Sequence, residues 1–128
     1  RMSPIVMTPH AGEFAALFGE LSGSKIDRAC AAAKISGSVI VFKGPDTVIA
    51  CPDGRARVAQ SGPGWLATAG TGDVLAGIVA ALLASGRAPH DAASAAVWLH
   101  AEAARLAGPA LIADEIPFHI PAAVAACL

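Results

Sequence analysis

A glycine-rich turn that leads directly into an apolar helix constrains this chain more than any other stretch. The turn reads Ala-Gly-Thr-Gly-Asp at residues 69–73, and the apolar run continues to Ala84. Gly70 and Gly72 carry no Cβ, so the main chain can take unusual backbone angles and come close to a bulky anion. The first amides of a helix lack intrahelical partners and lie at the positive end of its dipole. With Thr71 expected as the N-cap, the stretch predicts an anion hole at Gly70, Thr71 and Gly72.

Asp73 stands in the first turn of this helix, beside any anion that the turn binds. Two negative groups repel each other there, so the carboxylate makes chemical sense as a base that takes a proton from an attacking hydroxyl. In that role Asp73 is catalytic, and the amides of the turn stabilise charge on a phosphoryl group. The alternative is that Asp73 only complements the helix dipole, an interaction of about 0.3–1 kcal/mol. The Gly-x-Gly-Asp pattern alone leaves both interpretations open.

The rest of the chain predicts strands and helices in alternation. We expect strands at 5–8, 39–42, 47–51 and 55–59, and helices at 11–18, 24–36, 71–85, 91–106 and 120–127. The apolar run at 5–8 is typical of a strand that is buried on both faces of a parallel sheet. The helix at 71–85 is apolar all round and has one face of small residues, which predicts that other elements cover it on both sides. The second long helix is expected to turn Ala96, Leu99, Ala103 and Leu106 inward. Together the elements predict a layered α/β domain.

Composition excludes several classes of protein. Hydrophobic residues make up 55% of the 128 residues and charged residues 15%, which excludes a disordered tail. The net charge is −1 and there is no Tyr, so neither a basic stripe nor an aromatic platform for nucleic acid is present. The longest apolar run, residues 74–84, is too short for a bilayer. The three cysteines are far apart and read as thiols in a reducing compartment. We therefore expect a cytoplasmic protein that binds neither nucleic acid nor a membrane.

Three motifs in a fixed order, at residues 8–14, 41–49 and 67–77, resemble the C-terminal half of the ADP- or ATP-dependent NAD(P)H-hydrate dehydratases. The resemblance extends from Ile5 to Pro121 and implies a ribokinase-like layered α/β fold, with a mostly parallel sheet flanked by helices. It also implies that residues 1–128 are the C-terminal portion of a single domain, about half of which is absent. The implied function is repair of hydrated NADH and NADPH at the expense of ADP or ATP.

The resemblance implies a role for particular residues. It implies contacts with the hydrated substrate for His10 and Asp73, and contacts with the nucleotide for Lys43, Gly44, Pro45, Asp46, Thr47 and Gly72. Glu13 is a carboxylate one helical turn after His10, and carboxylate chemistry suggests that it holds Mg²⁺ through water. The pattern alone favours an ordinary lysine at a strand end for Lys43 and a surface or capped residue for His10. His100 is expected to be a hydrogen-bonded core residue, and the protein to be a homo-oligomer.

One departure from the family and two rival functions stay open. Many members carry Asn-Pro-Gly shortly before the central turn, whereas this chain has Pro63-Gly64-Trp65-Leu66. The Trp65 side chain either stacks on a base or anchors the loop by packing in the core. One rival function is a small-molecule kinase of the same superfamily, which shares Gly-x-Gly-Asp but not usually Pro-His-x-Gly-Glu. The other is an inactive nucleotide-binding fragment that acts in assembly.

Overall fold

The computed structural model describes residues 5–60, 70–109 and 113–127. The elements are, in chain order, β1 (Val6–Met7), α1 (Ala11–Phe18), α2 (Lys25–Ser36), β2 (Val39–Phe42), β3 (Asp46–Ala50), β4 (Ala56–Gln60), α3 (Thr71–Ala84), α4 (Pro89–Ala107), a 3₁₀ turn (Ala113–Glu115) and α5 (Ile116–Ala125). The predicted order of strands and helices is confirmed. The loop at 61–64 and Trp65 lie outside the described residues.

The four strands form one mixed sheet in the order β1-β2-β3-β4. β1 and β2 are parallel, whereas β2–β3 and β3–β4 are antiparallel. The prediction of a mostly parallel sheet is therefore wrong for the strands that the structure describes. The reason is the short connection at residues 43–45, since a parallel pair needs a crossover of about a dozen residues or more, whereas a tight turn joins antiparallel strands.

The sheet lies between two layers of helices, and β2 contributes side chains to both interfaces. Val39 and Val41 pack with residues of α3 and α4 on one face, and Ile40 and Phe42 pack with residues of α1 and α2 on the other. This division follows from the period of two in a strand, which sends successive side chains to opposite faces. Both faces are buried, as the apolar run predicts. In β1 the two residues are only half-buried, because β1 lies at an edge of the described sheet.

Local capping signals set the bounds of α2. The Ser24 hydroxyl accepts from the Asp27 amide, and the Asp27 carboxylate accepts from the Ser24 amide, both at 3.1 Å. Gly37 ends the helix with a left-handed φ of 64°, a conformation that favours glycine. The predicted capping box is confirmed.

α3 covers the sheet with one face only. Leu75 and Val79 are 3% and 4% exposed and join the core beneath the sheet. The opposite face consists of small residues that are all exposed, namely Ala76, Gly77, Ala80, Ala81 and Ala84. Beside it, an apolar groove of about 420 Å³ lies between α3, α4 and α5. The described part of the chain therefore covers α3 on one side, and cover for the other side stays a prediction for the longer domain.

The exposure of Leu106 in α4 and the first residue of α5 also differ from the prediction. Leu106 was expected to face inward but is 39% exposed, whereas Ala103 and Ala104 are fully buried in a cluster with α5. Periodicity alone cannot show which side of α4 the last helix covers. α5 begins at Ile116, earlier than residue 120, because Pro117 occupies the first turn, where its missing amide costs no hydrogen bond.

Within residues 5–60, 70–109 and 113–127, no helix is both long and apolar enough to span a membrane.

The exposed face of α3 predicts that the 128-residue chain associates when it is expressed alone. Soluble monomers rarely expose a large contiguous apolar surface, and size-exclusion chromatography with light scattering should show species heavier than one chain. Ala80→Glu should reduce this association, because it puts a charge in the centre of the face.

Ala16→Glu is the control, because Ala16 is an exposed alanine on another helix, α1. A monodisperse monomer from the parent chain would contradict the prediction.

Candidate functional site

His10 and Glu13 form a capping box at the start of α1. His10 Nδ1 accepts from the Glu13 amide, and Glu13 Oε1 accepts from the His10 amide, both at 3.1 Å. A Cβ at Gly12 would lie 3.1 Å from His10 Cε1, so glycine leaves room for the folded imidazole. The His-x-Gly-Glu spacing therefore fixes the histidine ring at the end of β1.

Glu13 is held in its charged form. The bond from the His10 backbone amide lowers the pKa of this exposed carboxyl, and the charge of Lys43 acts in the same direction. A hydrogen bond or a nearby cation lowers a carboxyl pKa because it favours the ionised state. His10 Nε2 lies 3.3 Å from Glu13 Oε1, so the capping contacts involve one carboxylate oxygen.

Lys43 connects the first motif to the glycine-rich turn. Its backbone N–H donates to Pro9 O at 2.9 Å, next to the His10 cap. Its half-buried side chain extends to α3, where a Cβ on Gly72 would lie 2.8 Å from Nζ. The ammonium group therefore lies against the first turn of α3, one residue before Asp73. All three motifs meet at this lysine.

The glycine-rich turn differs in detail from the prediction. Gly70, and not Thr71, is the N-cap of α3, with a left-handed φ of 88° and no side-chain cap. Thr71 is instead the first helical residue and is buried. Gly72 is helical and has no positive φ, so its lack of a Cβ serves the approach of Lys43 and not an unusual backbone angle. The first amides of a helix, including those of Gly72 and Asp73, have no partners within it.

The segment after Lys43 divides between a turn and a strand. Gly44 and Pro45 are exposed in the turn between β2 and β3. Asp46 and Thr47 are the first residues of β3 and pair with Gln60 and Ala59 of β4. Thr47 is also 7% exposed, so its side chain is largely withdrawn from solvent.

His100 supports the first turn of α3 from α4. Its Nε2 lies 2.8 Å from Thr71 O, and because the carbonyl accepts, the imidazole donates. The residue is 6% exposed, which confirms the prediction of a hydrogen-bonded core residue. Burial lowers the pKa of His100, the charge of Lys43 lowers it further, and the bond to Thr71 opposes both. The sequence carried no sign that this histidine contacts the glycine-rich turn.

The arrangement combines opposite charges at one helix end. Asp73 is exposed in the first turn of α3, directly after the glycine that the Lys43 ammonium approaches and near the positive end of the helix dipole. Such a site can bind a phosphate through Lys43 and the helix amides. It also has a carboxylate, that of Asp73, in the same helical turn, and a carboxylate can accept a proton.

Comparisons with known proteins give this geometry a family. A sequence model described as NAD(P)H-hydrate dehydratase matches residues 1–114. The chain is 41% identical to the ADP-dependent (S)-NAD(P)H-hydrate dehydratase of Xanthomonas campestris, over 92% of this chain and 44% of that protein. The ADP/ATP-dependent NAD(P)H-hydrate dehydratase from Bacillus subtilis, co-crystallised with ATP and Mg²⁺, matches with a TM-score of 0.88 and 36% identity, over 96% of this chain and 48% of that one.

A ribokinase-like superfamily protein from Enterococcus faecalis shares the fold with a TM-score of 0.73 and 29% identity, over 92% of this chain and 44% of that one. The described sheet and helices are thus part of a ribokinase-like α/β fold. The chain spans less than half the length of each of these three proteins.

Replacement of His100 should destabilise the chain in a pH-dependent way. His100→Leu should lower the free energy of unfolding by about 1–3 kcal/mol, because it removes a buried donor to Thr71 O. His100→Gln keeps a donor and should lose less. Because the pKa of folded His100 lies below the ordinary 6.5, the parent should lose stability as the pH falls below that value, when the unfolded chain binds the proton first.

Urea unfolding at about pH 7 and about pH 5 measures both effects, since each proton-linked change appears as a shift in unfolding free energy. His119→Leu, at a half-buried histidine of α5, is the matched control. An equal loss in the two leucine variants would argue against a special role for the bond to Thr71.

Proposed function

The chain belongs to the NAD(P)H-hydrate dehydratase family, and we propose that it supplies the nucleotide-binding and catalytic portion of an enzyme that dehydrates hydrated NADH and NADPH with ADP or ATP. We place residues 1–128 in the C-terminal portion of one ribokinase-like domain. The family match over residues 1–114 and the half-length match to the Bacillus subtilis enzyme support this assignment.

The observation that carries the proposal is the meeting of Lys43 with the first turn of α3. A Cβ at Gly72 would lie 2.8 Å from Lys43 Nζ, and Asp73 follows directly. A cation, a set of helix amides and a carboxylate are what transfer of a phosphoryl group to an alcohol requires.

The reaction proceeds by phosphorylation and elimination. Asp73 accepts the proton of the ring hydroxyl, and the hydroxyl oxygen bonds to the terminal phosphorus of ADP or ATP as the bond to the bridging oxygen breaks. AMP or ADP leaves. The ring C–O bond then breaks, phosphate departs with the electron pair, and loss of a proton from the neighbouring ring carbon restores the double bond. Nucleotide hydrolysis thus drives the loss of water.

The other residues bind and orient the two substrates. Lys43 and the amides of Gly70, Thr71 and Gly72 stabilise the phosphoryl charge, and the segment 44–47 contacts the nucleotide. His10, fixed by its capping box at the end of β1, contacts the hydrated nicotinamide.

Mg²⁺ fits this site only as an ion held largely by water and phosphate. Within the described ranges, no group of three or more His, Cys, Asp or Glu side chains is placed to hold a metal. Mg²⁺ commonly keeps several waters and binds through one or two carboxylates and substrate phosphates. Glu13 suits such a role, because its capping contacts involve only Oε1. When bound, the ion neutralises charge on the phosphates.

Asp73→Asn in the complete gene product should abolish dehydration while nucleotide affinity stays within about tenfold, because the amide keeps the shape but cannot accept a proton, a role typically worth about 10²–10⁴ in rate. An assay of NADH absorbance recovered from its hydrate measures turnover, and calorimetry measures affinity. Asp91→Asn is the control, because Asp91 is the corresponding first-turn carboxylate of α4. Turnover within a few-fold of the parent would remove Asp73 from the mechanism.

Lys43→Ala should weaken nucleotide binding more than hydrate binding, because the phosphates lose the cation beside the helix amides. Gly72→Ala should have a similar effect, since its Cβ would displace the ammonium. Calorimetric titration with ADP, ATP and the hydrate separates the two affinities.

Lys34→Ala, at an exposed lysine of α2, controls for the loss of one positive charge. Unchanged affinity for ADP and ATP in Lys43→Ala would refute the role of Lys43.

A further inference from the structure

The Lys25 side chain reaches from the start of α2 across the turn between β2 and β3. Its Nζ donates to the carbonyl of Asp46, at the far end of the turn. The same Nζ lies 4.7 Å from the centroid of the Phe42 ring, at the near end. One ammonium group therefore contacts the residues on both sides of the segment 43–45.

Gly44 leaves the space that this ammonium occupies. A Cβ at Gly44 would lie 2.5 Å from Lys25 Nζ, closer than any Cβ contact allows without a shift. Gly44 is not among the glycines with a positive φ. Its lack of a side chain is therefore explained by the close approach of Lys25 and not by the geometry of the turn.

The surroundings strengthen the contact. Lys25 is half-buried, and burial lowers its pKa while the charge of Asp46 opposes the shift. A partly desolvated ammonium forms stronger charge-assisted hydrogen bonds and stronger contacts with an aromatic face than one in water. The guanidinium carbon of Arg28, one helical turn further along α2, lies 5.4 Å from the centroid of the same Phe42 ring.

The Phe42 ring extends the connection to the first motif. It stacks on Phe14 with centroids 4.1 Å apart and planes 12° from parallel. Phe14 follows Glu13 in α1 and is 2% exposed. The turn after β2 and the capping box after β1 are thus packed against a common aromatic pair.

We propose that Lys25 is a positioning residue that holds the turn at residues 43–46 in the conformation that binds the phosphate-bearing nucleotide. This rests on the proposed function, in which that turn contacts ADP or ATP. Lys25 acts through the carbonyl of Asp46 and the space at Gly44, and it takes no part in proton or phosphoryl transfer.

The test is calorimetry with ADP and ATP, together with steady-state kinetics, on the complete gene product. Lys25→Met keeps the length of the side chain and removes its charge and donor. We expect Kd and KM for the nucleotide to rise about tenfold, the scale of a lost charge-assisted bond in an ordered loop, with kcat within a few-fold of the parent. Lys25→Arg should recover part of the affinity, and Lys34→Met, at an exposed lysine of the same helix, should bind like the parent.

Gly44→Ala tests the coupling directly. Its Cβ displaces Lys25 Nζ, so it should weaken nucleotide binding in the parent. In the double variant with Lys25→Met, the two losses should not add, because residues in one contact couple. Additive losses, or an unchanged Kd in Lys25→Met, would overturn the proposal.

Amide hydrogen exchange without nucleotide separates this proposal from the proposed function. Exchange at residues 43–48 should be faster in Lys25→Met and in Gly44→Ala than in the parent, and an unchanged rate would overturn the positioning role. If the parent binds no nucleotide but exchange still accelerates, the proposed function is wrong and the bracing of the turn by Lys25 is supported.

Discussion

The close approach of Lys43 to the first turn of α3 is the contact on which the site depends. Lys43 has its backbone bonded to Pro9 and its ammonium against Gly72, so it joins the end of one strand to the start of a distant helix. An ammonium on a four-carbon stem is easily displaced. The contact therefore requires a missing side chain at residue 72, a fixed strand register and a fixed position for α3.

Both helical layers contribute to that fixed geometry. On one face of the sheet, α4 bonds to the first turn of α3 through His100 and Thr71 O. On the other face, Lys25 of α2 donates to Asp46 O beyond the turn, and Phe42 stacks on Phe14 of α1. The site lies at the carboxyl end of β2, between the two helical layers. The packing of either layer therefore affects it.

Local chemistry made much of the fold predictable. The capping box of Ser24 and the period-two burial of β2 involve residues within a few positions of each other, and both are confirmed. Two predictions about helices failed where a distant element decides the outcome. The sequence predicts Thr71 as an N-cap, but it is helical, buried and bonded to α4. Leu106 is predicted to face inward with Ala103, but the cluster that α4 forms with α5 includes Ala103 and Ala104, and Leu106 stays exposed.

Residues close together in the chain predict the order of the elements, the capping box of α2 and the three motifs, because each depends on backbone preferences and side-chain periods that act over a single turn or strand. The approach of Lys43 to Gly72 and that of Lys25 to Gly44 follow instead from the three-dimensional fold. Each of these contacts joins residues that are far apart in the chain, and a missing Cβ has the same appearance in a sequence whether it serves a left-handed φ, as at Gly70, or the approach of an ammonium group. The distinction depends on which side chain the fold brings to that position.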